Sequence, residues 1–128
     1  MSWAKVTSPA EPLVGAVEIS TRAMKCFGED LMIGRLLIAG DVAEASGLAE
    51  AGAANLYEGR GVDAGDILVR AGDTGFPLRR RRDGAVWLES AALPLPTVAT
   101  PTPVVALPLA TGDGLVVTLP AGLPPIRP

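Results

Sequence analysis

Nine of the twelve prolines fall within residues 93–128, a stretch that holds only two charged side chains, Asp113 and Arg127. Proline lacks a backbone donor and breaks helices, so this end of the chain is not helical. It is rich in Leu, Val and Ala, and therefore too apolar to remain solvated in the way that polar or charged disordered tails do. The segment must seek burial as extended chain. We expect it to form an apolar C-terminal arm. As polyproline II, 36 residues rising about 3.1 Å each would reach roughly 110 Å, far enough to touch neighbouring molecules.

Composition narrows the rest. The whole chain has 128 residues, 48% hydrophobic and 20% charged, which suits one ordered domain and is too short for two independent cores. Only Trp3, Phe27, Tyr57, Phe76 and Trp87 are aromatic, so the core must be built from Val, Leu, Ile and Ala. There is no histidine, which removes the commonest general base and most zinc chemistry; the single Cys26 excludes an intrachain disulfide. No catalytic residue, metal or cofactor is expected, and no small-molecule substrate. A net charge of −3 gives no overall attraction to nucleic acid or anionic lipid. The N-terminus shows no export signature. The most apolar run, Leu31 to Gly40, is interrupted by Arg35 and is far shorter than the roughly 20 residues that span a bilayer.

Along the chain, residues 1–15 carry Pro9, Pro12 and Gly15 with little periodicity and are expected to form an extended N-terminal arm. Val17–Thr21 alternates apolar and polar residues as a half-buried strand does, and Leu31–Ala39 reads as a buried strand or short helix. Asp41 and Glu44 have capping-box spacing, so one short, weak helix is expected from Asp41, with Val42, Ala45, Leu48 and Ala49 at helical spacing. Gly47 and Gly52 would weaken it. From Gly61 onward strands are expected at Ile67–Arg70, Phe76–Arg82 and Ala85–Ser90. Asp83-Gly84 between the last two predicts a hairpin with a two-residue type I′ turn. In that hairpin Phe76, Leu78, Arg80 and Arg82 share one face, and Arg79 and Arg81 the other. A second hairpin is expected where Val104–Ala110 and Leu115–Leu119 flank Thr111-Gly-Asp-Gly. The fold class is thus mainly β: a small sandwich or barrel-like domain over 16–92, with arms at 1–15 and 93–128.

Several features invite a chemical reading. Ala-Gly-Asp occurs at 39–41, 64–66 and 71–73, and Gly112-Asp113 repeats the pair. These lack the ligand spacing of a calcium loop and are expected at turns. An enzyme would need Asp63, Asp66 and Asp73 to converge in one pocket. Arg79, Arg80, Arg81 and Arg82 could bind phosphate or a partner's carboxylates; the competing reading is a solvated strand that guards a sheet edge. Ala23-Met24-Lys25 resembles the turn that carries biotin in biotinyl carrier domains, and 62–68 resembles the Gly-Asp turn of that barrel. Arg22 and Cys26 depart from the pattern, and too few residues precede Lys25 for the half-barrel that family requires, so biotinylation of Lys25 is not expected. Cys26, between apolar Met24 and Phe27, is expected to be a buried structural residue.

These features together point to assembly, a function that extended arms serve by turning many weak contacts into a stable join. Small β proteins with arms are typical of phage particles. The expectation is a virion structural protein, most simply a capsid decoration or cement protein, assembled in the bacterial cytoplasm. Its partners would be itself and a major capsid or other particle protein. Head-tail joining or a spike or fibre base are variants of the same reading. The residues expected to meet partners are Arg79–Arg82, Trp87, Leu93, Leu95, Val104, Val105 and Leu107. Two other classes remain open: a nucleic-acid or anion-binding module using the arginine run, and an adaptor whose Pro94-Leu95-Pro96 and Pro101-Thr102-Pro103 fit an SH3-like groove.

Overall fold

The computed structural model describes residues 13–61 and 64–120. It contains nine strands and one short helix: β1 (Leu13–Cys26), β2 (Glu29–Ile38), α1 (Gly40–Ala45), β3 (Ala53–Glu58), β4 (Asp66–Gly72), β5 (Phe76–Pro77), β6 (Arg79–Arg80), β7 (Val86–Ser90), β8 (Thr102–Pro108) and β9 (Leu115–Thr118). They form one sheet in the order β5-β3-β4-β9-β8-β1-β2-β7-β6, and all its pairings are antiparallel. The two outermost strands are successive pieces of one extended segment, residues 76–80, and between them Leu78 donates its N–H to the Gly52 carbonyl at 3.0 Å. Because that segment pairs with β3 at one end and β7 at the other, the sheet closes almost completely into a barrel. Closure removes the exposed edges of an open sheet.

The period-2 pattern of each strand sends one set of side chains inward. Val17 and Ile19 of β1, Leu36 and Ile38 of β2, Ile67 and Val69 of β4, Val86 and Leu88 of β7, Val104 and Ala106 of β8, and Leu115 and Val117 of β9 are all buried. A barrel of about eight strands has an interior just wide enough for side chains to fill, so aliphatic residues suffice without aromatics. Burying each Val, Leu or Ile contributes about 1.5–3 kcal/mol of transfer free energy.

The C-terminal segment is not an arm over most of its length. The expected hairpin around 111–114 is present, but its strands β8 and β9 are inserted between β1 and β4. Leu93, Leu95 and Val98 are buried in the same core. The apolar alternation that made this segment unfit for solvent found its partner within the chain, where antiparallel pairing satisfies the backbone at the same time. The domain therefore continues from 92 through 120, and residues 121–128 lie outside the described residues. At the other end β1 begins at Leu13, inside the expected arm; residues 1–12 also lie outside the described part.

Local structure departs from expectation at two further places. The capping box does not form: Ala39 is the N-cap, no side chain caps the helix, and Asp41 Oδ1 accepts from the Val42 N–H at 2.9 Å. The helix ends early in a Schellman motif, with Gly47 N–H bonded to the Glu44 carbonyl and Leu48 N–H to the Ala43 carbonyl. Gly47 thus stops the helix instead of weakening its interior. Val42, Ala43 and Leu48 are buried, whereas Ala45 is exposed. The Asp83-Gly84 hairpin exists, but its loop has three residues, because Arg81 and Ala85 still pair (Arg81 N–H to the Ala85 carbonyl, 2.8 Å) and only Gly84, at φ 89°, takes the left-handed conformation. That is the bulged three-residue connection, not the type I′ turn. Gly-Asp pairs lie at turns near 65, 73 and 112, while Gly40-Asp41 opens α1.

The two ends of the barrel differ. One is covered by α1, against which the 82–84 and 109–114 turns pack closely: a Cβ on Gly40 would lie 3.0 Å from the Gly84 carbonyl carbon, and one on Gly47 would lie 2.8 Å from the Gly112 oxygen. The other is filled by residues 91–101, where Val98 donates its N–H to Thr21 Oγ1 at 3.0 Å. From this second end, β1 and β2 run on beyond the body.

Candidate interaction surface

β1 and β2 stay paired from Val17↔Ile38 to Cys26↔Glu29. β8 accompanies β1 only as far as Ile19, and β7 accompanies β2 only back to Gly34. Residues 20–33 are therefore a two-stranded ribbon which, at about 3.4 Å per residue, extends roughly 20 Å past the last flanking pair. Its turn is Phe27-Gly28, with φ of 51° and 80°, so the type I′ turn of this protein is here. Glycine adopts that conformation freely, but for a bulky side chain it is a genuine outlier, costing about 1–2 kcal/mol.

Phe27 is fully exposed. Near it, Met24 and Leu31 face each other across the strands, and Met32 faces Ala23. Met24, Phe27, Leu31 and Met32 are four of the five large hydrophobics exposed among the described residues; the fifth, Tyr57, lies on the far side of the sheet beside Leu68 and Val116 in a shallow hollow of about 300 Å³. Sequence reading did not single out these four. The signal available was an X-Gly pair between two alternating runs, which marks a hairpin. Cys26 is half-buried at the ribbon's tip, not in the core. Lys25 lies within β1 opposite Asp30, ahead of the turn and not on it.

The arginine run is dispersed by its strand. Arg79 lies over the Trp87 ring at 5.4 Å, and Arg35, from the strand on the other side, lies over it at 4.0 Å. Such stacking buries the guanidinium planes against an aromatic face. Arg80 reaches across the α1 end of the barrel and donates to the carbonyls of Ala49 and Ala51. Arg81 pairs with Asp83 at 2.7 Å. The Ala85 N–H bond to Asp83, helped by Arg81, holds that carboxyl below its usual range. Arg80, Arg81 and Arg82 border a hollow of about 620 Å³ together with Asp41, Glu44 and Glu50, so charges of both signs line it. The four arginines do not converge on one point.

On the outer face near the ribbon's base, Arg22 donates through Nη2 to Glu89 Oε1 at 2.7 Å and through Nε to Oε2 at 3.3 Å. This bidentate contact lowers the Glu89 pKa and raises that of Arg22. It lies across β2 and braces the point where the ribbon leaves the body.

The remaining predicted contact residues divide by strand parity. Leu93, Leu95 and Val104 are core residues, while Val105 and Leu107 are only half-buried on the outer face of β8. Asp66 begins β4 and Asp73 follows its far end, so these two carboxylates are separated by the length of the strand; Asp63 lies outside the described residues. Among the described residues no group of three or more Cys, Asp or Glu side chains is placed to hold a metal ion, and no helix is long and apolar enough to cross a membrane. The chain matches no protein-family profile, no curated protein and no solved structure.

Proposed function

We propose that this chain is a non-catalytic assembly protein in which a barrel presents an apolar β-ribbon to the structure it joins. One observation carries the reading: a chain with five aromatic residues places one of them, Phe27, fully exposed and in a strained conformation at the tip of a ribbon that also carries Met24, Leu31 and Met32. Backbone strain persists where the surrounding structure enforces it and is concentrated at functional positions. Exposed apolar clusters of this kind mark interaction sites. The partner is a protein surface with an apolar recess, and the particle setting expected from the sequence, a shell-decoration subunit or a joining or fibre-base subunit, accommodates it. In that setting the ribbon replaces the C-terminal segment as the main contact.

The test is partition of tagged chain with particles assembled in the producing cell. The parent chain is expected to sediment with them. A chain carrying Phe27→Ser, Met24→Ser and Leu31→Ser should remain in the supernatant while melting at nearly the parent temperature. Equal recovery of the two would overturn the proposal.

A further inference from the structure

We infer that copies of this chain join into a closed ring through the two edges of the ribbon, the β2 edge of one copy pairing with the β1 edge of the next. The inference rests on the assembly reading and names the second copy as an occupant of the ribbon. Past Ile19 and Gly34 no third strand of the sheet flanks the ribbon; residues 96–98 still cover its base, where Val98 bonds Thr21 and Ile33 is buried, but beyond Arg22 and Ile33 both of its edges are open although the barrel's own edges are closed. An unpaired edge is a template for another strand.

The parity of the ladder identifies which groups are free. Ala39 donates its N–H to the Ala16 carbonyl, and Cys26 and Glu29 flank the two-residue turn, so even-numbered residues of β1 bond to β2. Ala23 and Lys25 therefore turn their N–H and C=O groups outward from β1, and Asp30 and Met32 do so from β2. The two edges carry opposite charge. On the β1 edge Lys25 is the free charge, Arg22 being bonded across β2 to Glu89, and residues 20–26 hold no acid; residues 29–33 include Glu29 and Asp30 with no base. Pairing β1 with β1, or β2 with β2, would bring like charges together. Pairing β2 with the next copy's β1 places Asp30 and Glu29 beside Lys25.

Direction agrees with charge. Because β1 and β2 are antiparallel, β2 of one copy beside β1 of the next is again antiparallel, and the operation relating them is a rotation about an axis along the ribbons. Repeated without translation along that axis, such a head-to-tail contact closes into a ring when its rotation divides a full turn, the arrangement inferred for this chain. The Phe27 side chains then gather at one rim, and Met24 and Leu31 of adjacent copies bury one another.

Light scattering behind a sizing column, on the full chain, tests this. The expected mass is a discrete multiple of 13.1 kDa. Ala23→Pro removes an outward N–H without touching the bonds inside the ribbon, and Lys25→Glu places acid against acid; each should reduce the mass to that of one chain. The triple variant Lys25→Glu, Glu29→Lys, Asp30→Lys exchanges the signs of both edges and should restore the ring. A parent chain that is monomeric at every concentration overturns the inference, as does a ring that survives both Ala23→Pro and Lys25→Glu. A triple variant that stays monomeric also overturns it. The two proposals fail separately: a ring that does not partition with particles removes the proposed function alone, and a monomer that does partition removes the ring alone.

Discussion

The same two strands are built to opposite rules in their two halves. Near the body, Val17, Ile19, Leu36 and Ile38 of β1 and β2 are at most 1% exposed; near the tip, Met24, Leu31 and Met32 of those strands are 37–41% exposed and Phe27 completely so. Local pairing is identical throughout, one continuous antiparallel register. What changes is the third neighbour and, for Met24 and Leu31, the face of the pair on which the apolar side chain lies. Where β8 and β7 flank the pair, apolar side chains have a barrel interior to fill. Where they stop, Met32 on the same inward face has only solvent, or another molecule, and Met24 and Leu31 place apolar side chains on the outer face, where Glu18 and Arg35 stand nearer the body.

Substitutions can break that contrast directly. Leu36→Ala should cost about 3 kcal/mol in chemical denaturation, the usual range for a buried leucine. Leu31→Ala, five residues away on the same strand and on its outer face, should stay within about 0.5 kcal/mol. If the two losses were equal, the ribbon would be part of the core after all. Arg80→Ala tests the α1 end of the barrel, where two carbonyls would lose their donor; a loss of about 1 kcal/mol is expected, with faster amide exchange at residues 49–52. Phe27→Asn should leave stability unchanged or raise it by about 0.5–1 kcal/mol, because asparagine tolerates the left-handed conformation better. The same substitution should reduce partition with particles. A clear loss of stability would mean that Phe27 packs on its own chain.

The smallest effect is electrostatic. Glu89 and Asp83 have lowered pKa values in the folded state, through the Arg22 hydrogen bond and the Ala85 N–H bond respectively. A carboxylate with a depressed folded pKa contributes stability that is present above its unfolded value, about 4, and lost as pH falls through the lower folded value. Stability should therefore decline modestly below about pH 4, and Glu89→Gln should flatten part of that decline. A denaturation midpoint that does not respond to Glu89→Gln in this window would show that the brace at the ribbon's base contributes nothing. Above pH 5 the parent should be the more stable of the two by a small, constant margin, and below the folded value the two should converge.

Much of the barrel was legible one strand at a time. Val17–Thr21, Ile67–Arg70, Ala85–Ser90 and the hairpin around residue 112 could be read from alternation and turn residues, since period and turn chemistry are local properties. Arg79 and Arg80 could be recognised as part of a strand that splits its charges between faces, whereas Arg81 and Arg82, expected in the same strand, lie in the connection to β7. The destination of the C-terminal segment was not legible. Its prolines and its lack of charge required extended, buried structure, but an apolar strand carries no mark that tells a neighbouring molecule from β1 and β4 of its own chain. The ribbon was missed for a related reason: Met24, Leu31 and Met32 have the composition of core residues, but Met24 and Leu31 fall by parity on the outer face, and Met32, on the inward face, is exposed because β8 and β7 end before it.

By itself, the amino-acid sequence determined a small, mainly β protein with an aliphatic core, one short helix and no histidine. These follow from composition, period and turn chemistry, which act over a few residues. Only the tertiary structure decided that 93–120 closes the barrel, that residues 76–80 complete it, and that residues 23–32 stand clear with opposite charge on their two edges. Those outcomes depend on which strands meet across the chain and where each pairing stops, and burial is set by those distant neighbours rather than by the residue itself.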